Sequence, residues 1–110
     1  MPEEIMKKLF FSQGEIIALR KAIIYLKFSC NETESLLYSG SESINSALSK
    51  LIDSDDFSKE AKEFYKIDSP HNESFVKNKI SKIEKERGSD FPKEIKEKAL
   101  KSNMYPFPVR

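Results

Sequence analysis

The chain has 110 residues, of which 38% are hydrophobic and 34% are charged, and its formal net charge is +1 at pH 7. This length suits one domain with a single small core, and the apolar content, which includes eight Phe and four Tyr residues, argues against global disorder. The longest uninterrupted apolar run covers only residues 22–26, so neither a membrane span nor a secretory signal is expected.

The charges are distributed unevenly along the chain. Residues 1–30 sum to +2, residues 31–76 to −6 and residues 77–110 to +5. The middle segment carries ten acidic residues against four lysines, so it could meet a basic partner, whereas the basic end could meet an acidic one. This asymmetry is the best indication of partners in the sequence.

Helical patterns begin at once. A short first helix is predicted from Pro2 to about Phe10, because a proline and two acids suit a first turn. Ser12 and Glu15 then have the spacing of a capping box, which predicts a helix from Gln13 to about Ser29. Its apolar positions cover most of the circumference, so we expect this helix to be central and Ile23 to lie in the core.

A short helix should follow. Asn31 and Glu34 repeat the capping arrangement, and Gly40 is a helix stop that tolerates the left-handed conformation. The next two helices are predicted to form an antiparallel hairpin, the first opened by Ser41, with Asp53 or Ser54 ending it and capping the second. The expected buried positions are Ile44, Ala47, Leu48, Leu51 and Ile52 in the first helix, and Phe57, Ala61, Phe64 and Tyr65 in the second.

Two further helices are predicted in the basic end. Ser69 followed by Pro70 is a good helix start, and the helix should run from about residue 71 to residue 87 until Gly88 closes it. Asp90 is expected to cap a last helix, about residues 91–102, that stops at Asn103.

The last seven residues contain two prolines and should be extended. They could pack onto their own domain, which is the preferred interpretation, or bind a partner. The sequence therefore predicts an all-α protein: residues 1–103 form a single compact bundle of about six or seven short helices, and residues 104–110 form an extended tail.

The residues available for catalysis are few. Cys30 is the single cysteine, so an internal disulfide is impossible and a cytoplasmic location is expected, and we interpret it as a small structural residue. His71 lies beside Ser69 and Asp68, but adjacency in sequence does not support a catalytic triad, and we interpret it as a first-turn histidine. Glycine-rich phosphate-binding motifs are absent. We predict no enzymatic activity, no cofactor and no metal site.

The acidic run at residues 53–56 resembles a calcium-binding loop only superficially. The calcium template requires an acid or amide where Phe57 stands, a glycine where Ser58 stands and a glutamate where Tyr65 stands. A solvated turn with helix-capping carboxylates is the preferred interpretation, and a contact surface is the alternative.

The basic end could contact phosphates. Its nine cationic side chains before the tail are interleaved with glutamates, and the chain has only three arginines. A solvent-facing surface with pairs between residues four apart is the preferred interpretation. The residues concerned are Lys77, Lys79, Lys82, Lys85, Arg87, Lys93, Lys96, Lys98 and Lys101.

The leading functional hypothesis is a non-catalytic helical interaction protein, an immunity or inhibitor protein that neutralises a bacterial toxin with a basic active cleft, such as a nuclease. The alternatives are a nucleic-acid-binding regulator that uses the basic helices, a small adaptor of unknown partner and, least favoured, an enzyme. A membrane partner is not expected, and no oligomeric state is predicted. The candidate partner-binding residues are Asp53, Asp55, Asp56, Glu60 and Glu63.

Overall fold

The computed structural model describes residues 5–109, and within that range the chain forms helices and their connections without a β-strand. This confirms the predicted all-α bundle. The α-helices are α1 (Gln13–Phe28), α2 (Leu36–Ser39), α3 (Glu42–Ser54), α4 (Ser58–Tyr65), α5 (Pro70–Arg87) and α6 (Lys93–Met104), and a 3-10 turn (Thr33–Ser35) directly precedes α2.

Helix α1 is the central element, as predicted. The Ser12 hydroxyl accepts from the Glu15 amide, and the Glu15 carboxylate accepts from the Ser12 amide, so the capping box is formed. The helix packs against α2, α3 and α5. Its burial is narrower than its apolar pattern suggests, because short neighbours cover only part of the circumference: Ile23 is only half-buried and Tyr25 is 62% exposed.

The predicted helix ahead of α1 is wrong over residues 5–10, which are described and are not helical. Residues 1–4, where that helix was expected to begin, lie outside the described part of the chain. A helix this short is marginal in water unless its apolar face is buried. Here Ile5 and Phe10 are 89% and 93% exposed, so packing does not support it.

The core contains residues from four helices. Phe28, Val76, Ile80 and Met104 form one buried cluster, which joins α1, α5 and α6. Helices α1 and α3 also make an extensive contact in the bundle. The buried apolar residues there are Ile16, Leu48, Leu51 and Ile52, so the predicted buried face of α3 is confirmed at three positions.

The α3–α4 hairpin differs from the prediction at its second helix. Ser41 caps α3 by accepting from the Ile44 amide at 3.1 Å, as predicted, and α3 ends at Ser54. The N-cap of α4 is Phe57, not an acid or serine. Because α4 has only eight residues and few apolar positions to bury, Phe57 and Phe64 are exposed rather than buried.

Gly40 ends α2, as predicted, and with φ −108° it does not use the left-handed conformation that glycine tolerates. Glycine is required there by space: a Cβ at position 40 would lie 2.6 Å from Nδ2 of Asn103 in α6. The predicted cap at Asn31 is wrong, because the 3-10 turn begins one residue later, with Glu32 at the N-cap position.

Buried lysines satisfy the carbonyl oxygens at helix ends. Lys27, 1% exposed, donates from Nζ to the Ser39 carbonyl oxygen at 2.6 Å, to Asn45 Oδ1 at 2.7 Å and to the Ser102 carbonyl oxygen at 3.3 Å. One side chain of α1 therefore ties together the ends of α2 and α6 and the first turns of α3. Burial lowers the pKa of Lys27 from 10.5 to about 8.

Lys79 of α5 likewise donates to a carbonyl oxygen at the end of α1. Its ammonium donates to the Ser35 hydroxyl at 2.8 Å and to the Leu26 carbonyl oxygen at 3.3 Å. That oxygen needs a donor from elsewhere because the Cys30 amide bonds to the Tyr25 carbonyl. Desolvation by burial lowers the pKa of Lys79.

The α5–α6 connection is held by a buried carboxylate. Gly88 ends α5, as predicted, and it does so in the left-handed conformation, with φ +77°. The predicted start of α6 is wrong: α6 begins at Lys93 with Pro92 as N-cap, because a residue before proline disfavours helical backbone. The Phe91 amide donates to Glu84 at 2.8 Å, and this bond, with the nearby Lys96, lowers the pKa of Glu84.

The tail packs onto its own domain. Met104 belongs to α6 and is fully buried, and the Phe107 amide donates back to its carbonyl oxygen at 2.8 Å, so the chain turns rather than extends. The Phe107 ring makes edge contacts with Phe28, Phe64 and Tyr65 at centroid distances of 5.5, 5.9 and 5.1 Å. The preferred interpretation of the tail is therefore confirmed for Phe107.

Candidate partner-binding site

Two of the five acidic residues predicted to bind a partner, Asp55 and Glu60, line a groove between α1 and α4. The groove has a volume of about 440 Å³. Its apolar lining comes from Ile17 and Ile24 of α1, from Ala61 and Phe64 of α4 and from Phe57 at the N-cap of α4, while Arg20, Lys21 and Glu60 contribute charge.

Two phenylalanines of this groove face solvent. Phe57 is 64% exposed and Phe64 is 58% exposed. Phe64 is nevertheless held in place, because its ring meets Tyr65 at a centroid distance of 5.3 Å and Phe107 at 5.9 Å. A fixed, exposed aromatic side chain loses little conformational freedom when a partner covers it, which favours binding.

Asp55 is placed differently from the other predicted residues. It is only 5% exposed, and its carboxylate accepts from Gln13 Nε2 at 3.0 Å and from the Phe57 amide at 2.8 Å. The Oδ2 atom accepts no hydrogen bond within residues 5–109 but lies 3.2 Å from Arg20 Nη2. The Gln13 and Phe57 hydrogen bonds lower the pKa of Asp55, and the Arg20 charge adds to this. Asp55 therefore fixes the α3–α4 turn to α1 and has little surface to offer a partner.

The other four predicted residues are at the surface. Asp53 forms an exposed ion pair with Lys62, whose Nζ lies 2.7 Å from Oδ1. Asp56, Glu60 and Glu63 are exposed on and beside α4. The structure thus brings three exposed carboxylates to the same short helix as the two exposed phenylalanines.

Sequence reasoning missed the phenylalanines because their spacing matches a buried helical face. The length and polarity of their segment could have indicated the difference. Between Phe57 and Tyr65 only Ala61 and Phe64 are apolar, so the segment cannot cover two large rings by itself.

Neither Cys30 nor His71 lines the groove between α1 and α4. Cys30 is half-buried and His71 is exposed on the first turn of α5. Among residues 5–109, no three His, Cys, Asp or Glu side chains are placed to hold a metal ion.

Several cations of the basic end are engaged within the chain. Lys79 is buried, and Lys96 lies 3.0 Å from the Glu84 carboxylate. Lys77 pairs with Glu73 at 2.9 Å. These contacts agree with the interpretation of mixed, internally paired charge, and they reduce the positive charge that this end presents.

Comparison of the chain with family models, with curated proteins and with solved structures gives no match. Across the described residues, 5–109, none of the helices combines the length and the apolar character needed to cross a bilayer.

Proposed function

We propose that this chain is a non-catalytic interaction protein that binds a basic protein partner through one surface, the α4 face. The α4 face consists of Asp56, Phe57, Glu60, Glu63 and Phe64. The observation that carries the proposal is the exposure of two large aromatic rings, 64% at the N-cap of α4 and 58% within α4, beside exposed carboxylates of the same segment. Exposed apolar patches of this kind, rimmed by polar residues, are typical of interaction sites.

The arrangement matches the anatomy of protein interfaces. Aromatic residues are over-represented among the residues that contribute most binding energy, and a surrounding polar rim excludes water from them. The groove between α1 and α4 adds a concave apolar surface directly beside Phe57 and Phe64. The carboxylates of the α4 face would attract a basic partner and accelerate its association.

In its specific form, the proposal is that the partner is a bacterial toxin with a basic cleft, such as a nuclease, and that this chain acts in the cytoplasm as its immunity protein. An acidic surface with aromatic anchors can occupy a cleft that otherwise holds a polyanionic substrate. Nucleic-acid binding by the basic end has less support, because Lys77, Lys79 and Lys96 already have partners within the chain.

Affinity capture with two matched triple variants tests the proposal. The test variant carries Asp56→Asn, Glu60→Gln and Glu63→Gln, and it leaves Asp55 intact because that residue supports the fold. The control variant removes the same number and type of exposed acids elsewhere, with Glu34→Gln, Asp90→Asn and Glu94→Gln. The wild type and the control should retain the same partner from native lysate, identified by mass spectrometry, and the test variant should lose it. Equal retention by all three proteins would contradict the proposal.

A further inference from the structure

The segment ahead of α1, residues 5–11, is an apolar arm that its own domain leaves uncovered. The exposed fractions of its large apolar side chains range from 44% to 93%. Ile5, Met6, Leu9 and Phe10 follow the i, i+1, i+4, i+5 spacing of one helical face, although the segment is not helical in the free chain. The arm also carries two positive charges, Lys7 and Lys8. The segment therefore has apolar surface, positive charge and the apolar spacing of a helix that it does not form in the free chain.

The arm leaves the domain beside the α4 face. It joins α1 at Gln13, whose side-chain amide donates to Asp55 at 3.0 Å and accepts from the Asp56 amide at 3.0 Å. The C-terminal end of the arm, where it meets α1, is therefore held next to the turn that leads directly into α4. The groove between α1 and α4 lies next to that turn, since it is lined by Asp55 and Phe57.

We propose that two copies of this chain pair by exchanging these arms, each arm lying in the α1–α4 groove of the other copy. The two surfaces are complementary on the α4 side of the groove: the arm is apolar and carries Lys7 and Lys8, and the apolar groove has Glu60 in its α4 wall, with Glu63 nearby on the same helix. The α1 wall carries Lys21 and Arg20, which is paired with Asp55, so the lysines of the arm would lie toward α4. The apolar side chains supply the burial and the opposite charges fix the orientation.

The placement also suits two-fold symmetry. A symmetric dimer interface uses the same patch on both copies, so it must contain both the donor and the acceptor surface. Here the C-terminal end of the arm lies next to the groove, so one contact region contains both surfaces. Docking would cover the apolar face of the arm and thus supply the burial that its helical pattern lacks in the free chain.

Arm exchange would take place between copies of the chain alone and does not depend on the proposed function. It has a consequence for that function, because an arm in the groove and a partner on the α4 face would compete. Failure of dimerisation would not contradict a positive partner-capture result, and the reverse also holds, since the dimer is measured with the purified chain alone.

Sedimentation equilibrium of the purified full chain is the first test, and it should detect a concentration-dependent dimer. Phe10→Asp alters a ring that is 93% exposed, so the fold should survive, and the dimer dissociation constant should rise about tenfold or more. Leu37→Asp is the matched control, because Leu37 is 72% exposed on α2, and it should leave the constant unchanged. A wild-type chain that remains monomeric at every concentration, or equal weakening by both substitutions, overturns the proposal.

Charge reversal identifies the contact itself. One variant carries Lys7→Glu and Lys8→Glu, and a second carries Glu60→Lys and Glu63→Lys. Each variant alone places like charges at both arm–groove contacts and should dimerise less than the wild type. A mixture of the two restores opposite charges at both contacts, so a mixed dimer should form that is tighter than either homodimer. A mixed dimer no tighter than the homodimers overturns arm exchange, as does binding of the arm to anionic vesicles by a protein that stays monomeric.

Discussion

The ammonium of Lys27 lies 3.3 Å from the carbonyl oxygen of Ser102. In a continuing helix that oxygen would accept from the amide of the residue four positions later, but that residue is Pro106, which has no amide hydrogen. Lys27 and Asn45, whose Nδ2 donates to the same oxygen at 2.9 Å, replace the missing donor. A lysine of α1 thereby compensates for the proline that follows α6.

Replacing this lysine should destabilise the fold. Lys27→Met keeps the apolar stem but leaves the buried Ser39 carbonyl oxygen and the half-buried Asn45 Oδ1 without the Lys27 donor. We expect the free energy of unfolding in denaturant to fall by about 2–4 kcal/mol at pH 7, the cost of leaving one buried and one half-buried acceptor without that donor. Lys21→Met, at an exposed position of the same helix, should change it by less than about 0.5 kcal/mol. Equal effects of the two substitutions would contradict this role for Lys27.

The difference in unfolding free energy between the wild type and Lys27→Met should increase as pH rises. The pKa of Lys27 falls from 10.5 to about 8 on folding, so between these values the unfolded chain binds more protons than the folded one. Stability must therefore increase with pH across that window, because the neutral amine avoids the desolvation cost and still donates hydrogen bonds. The difference in unfolding free energy between wild type and Lys27→Met should widen by about 2–3 kcal/mol from pH 7 to pH 10. Measuring the difference cancels the titration of the other lysines, and a constant difference would mean that the pKa is not lowered.

Gly40, which ends α2, and Gly14, which lies in α1, should respond oppositely to replacement by alanine. At position 40, a Cβ would lie 2.6 Å from Nδ2 of Asn103, which cannot easily retreat because it donates to the Ala99 carbonyl oxygen at 2.9 Å. Gly40→Ala should therefore lower the unfolding free energy by about 1–3 kcal/mol. At Gly14 the nearest atom is 3.8 Å away, and Gly14→Ala should raise it by up to about 1 kcal/mol through helix propensity. Thermal and denaturant melts of both variants provide the check, and a neutral Gly40→Ala would be the contrary result.

Core substitutions should follow the observed burial, not the apolar pattern. Leu48 is fully buried, so Leu48→Ala should cost about 2–5 kcal/mol. Ile23 was expected in the core but is half-buried, so Ile23→Ala should cost only about 1–2 kcal/mol. Denaturant unfolding of the two variants measures the difference, and the reverse order would restore the sequence-based placement of Ile23.

These residues also show which features of the fold could be predicted from the sequence. Helix existence and several ends could be predicted, because caps such as Ser12 and Ser41 and the left-handed Gly88 act locally. The burial of individual side chains could not be predicted, because it depends on which helices pack together. Lys27 looks like a surface residue in the sequence, and Phe57 looks like a core residue, yet packing reverses both. At the site, the acidic residues were predicted, but the role of Asp55 depends on Gln13 and Arg20, more than thirty positions away.

The α4 face makes the last prediction, on the kinetics of partner binding. If Asp56, Glu60 and Glu63 attract a basic partner, then neutralising them to Asn, Gln and Gln should reduce mainly the association rate constant, roughly tenfold at low ionic strength. The loss should shrink at about 0.15 M salt, where charges more than about 8 Å apart are screened.

The measurement is association and dissociation by surface plasmon resonance at both salt concentrations, with the variant that replaces Glu34, Asp90 and Glu94 as control. Thermal melts of the free proteins should be unchanged, because the replaced carboxylates are exposed and the buried Asp55 is retained. Because Phe57 contributes contact area rather than charge, Phe57→Ser should instead raise the dissociation rate at both salt concentrations. Identical association rates for all charge variants would exclude steering by the α4 face, since long-range attraction must respond to the loss of three negative charges on that surface.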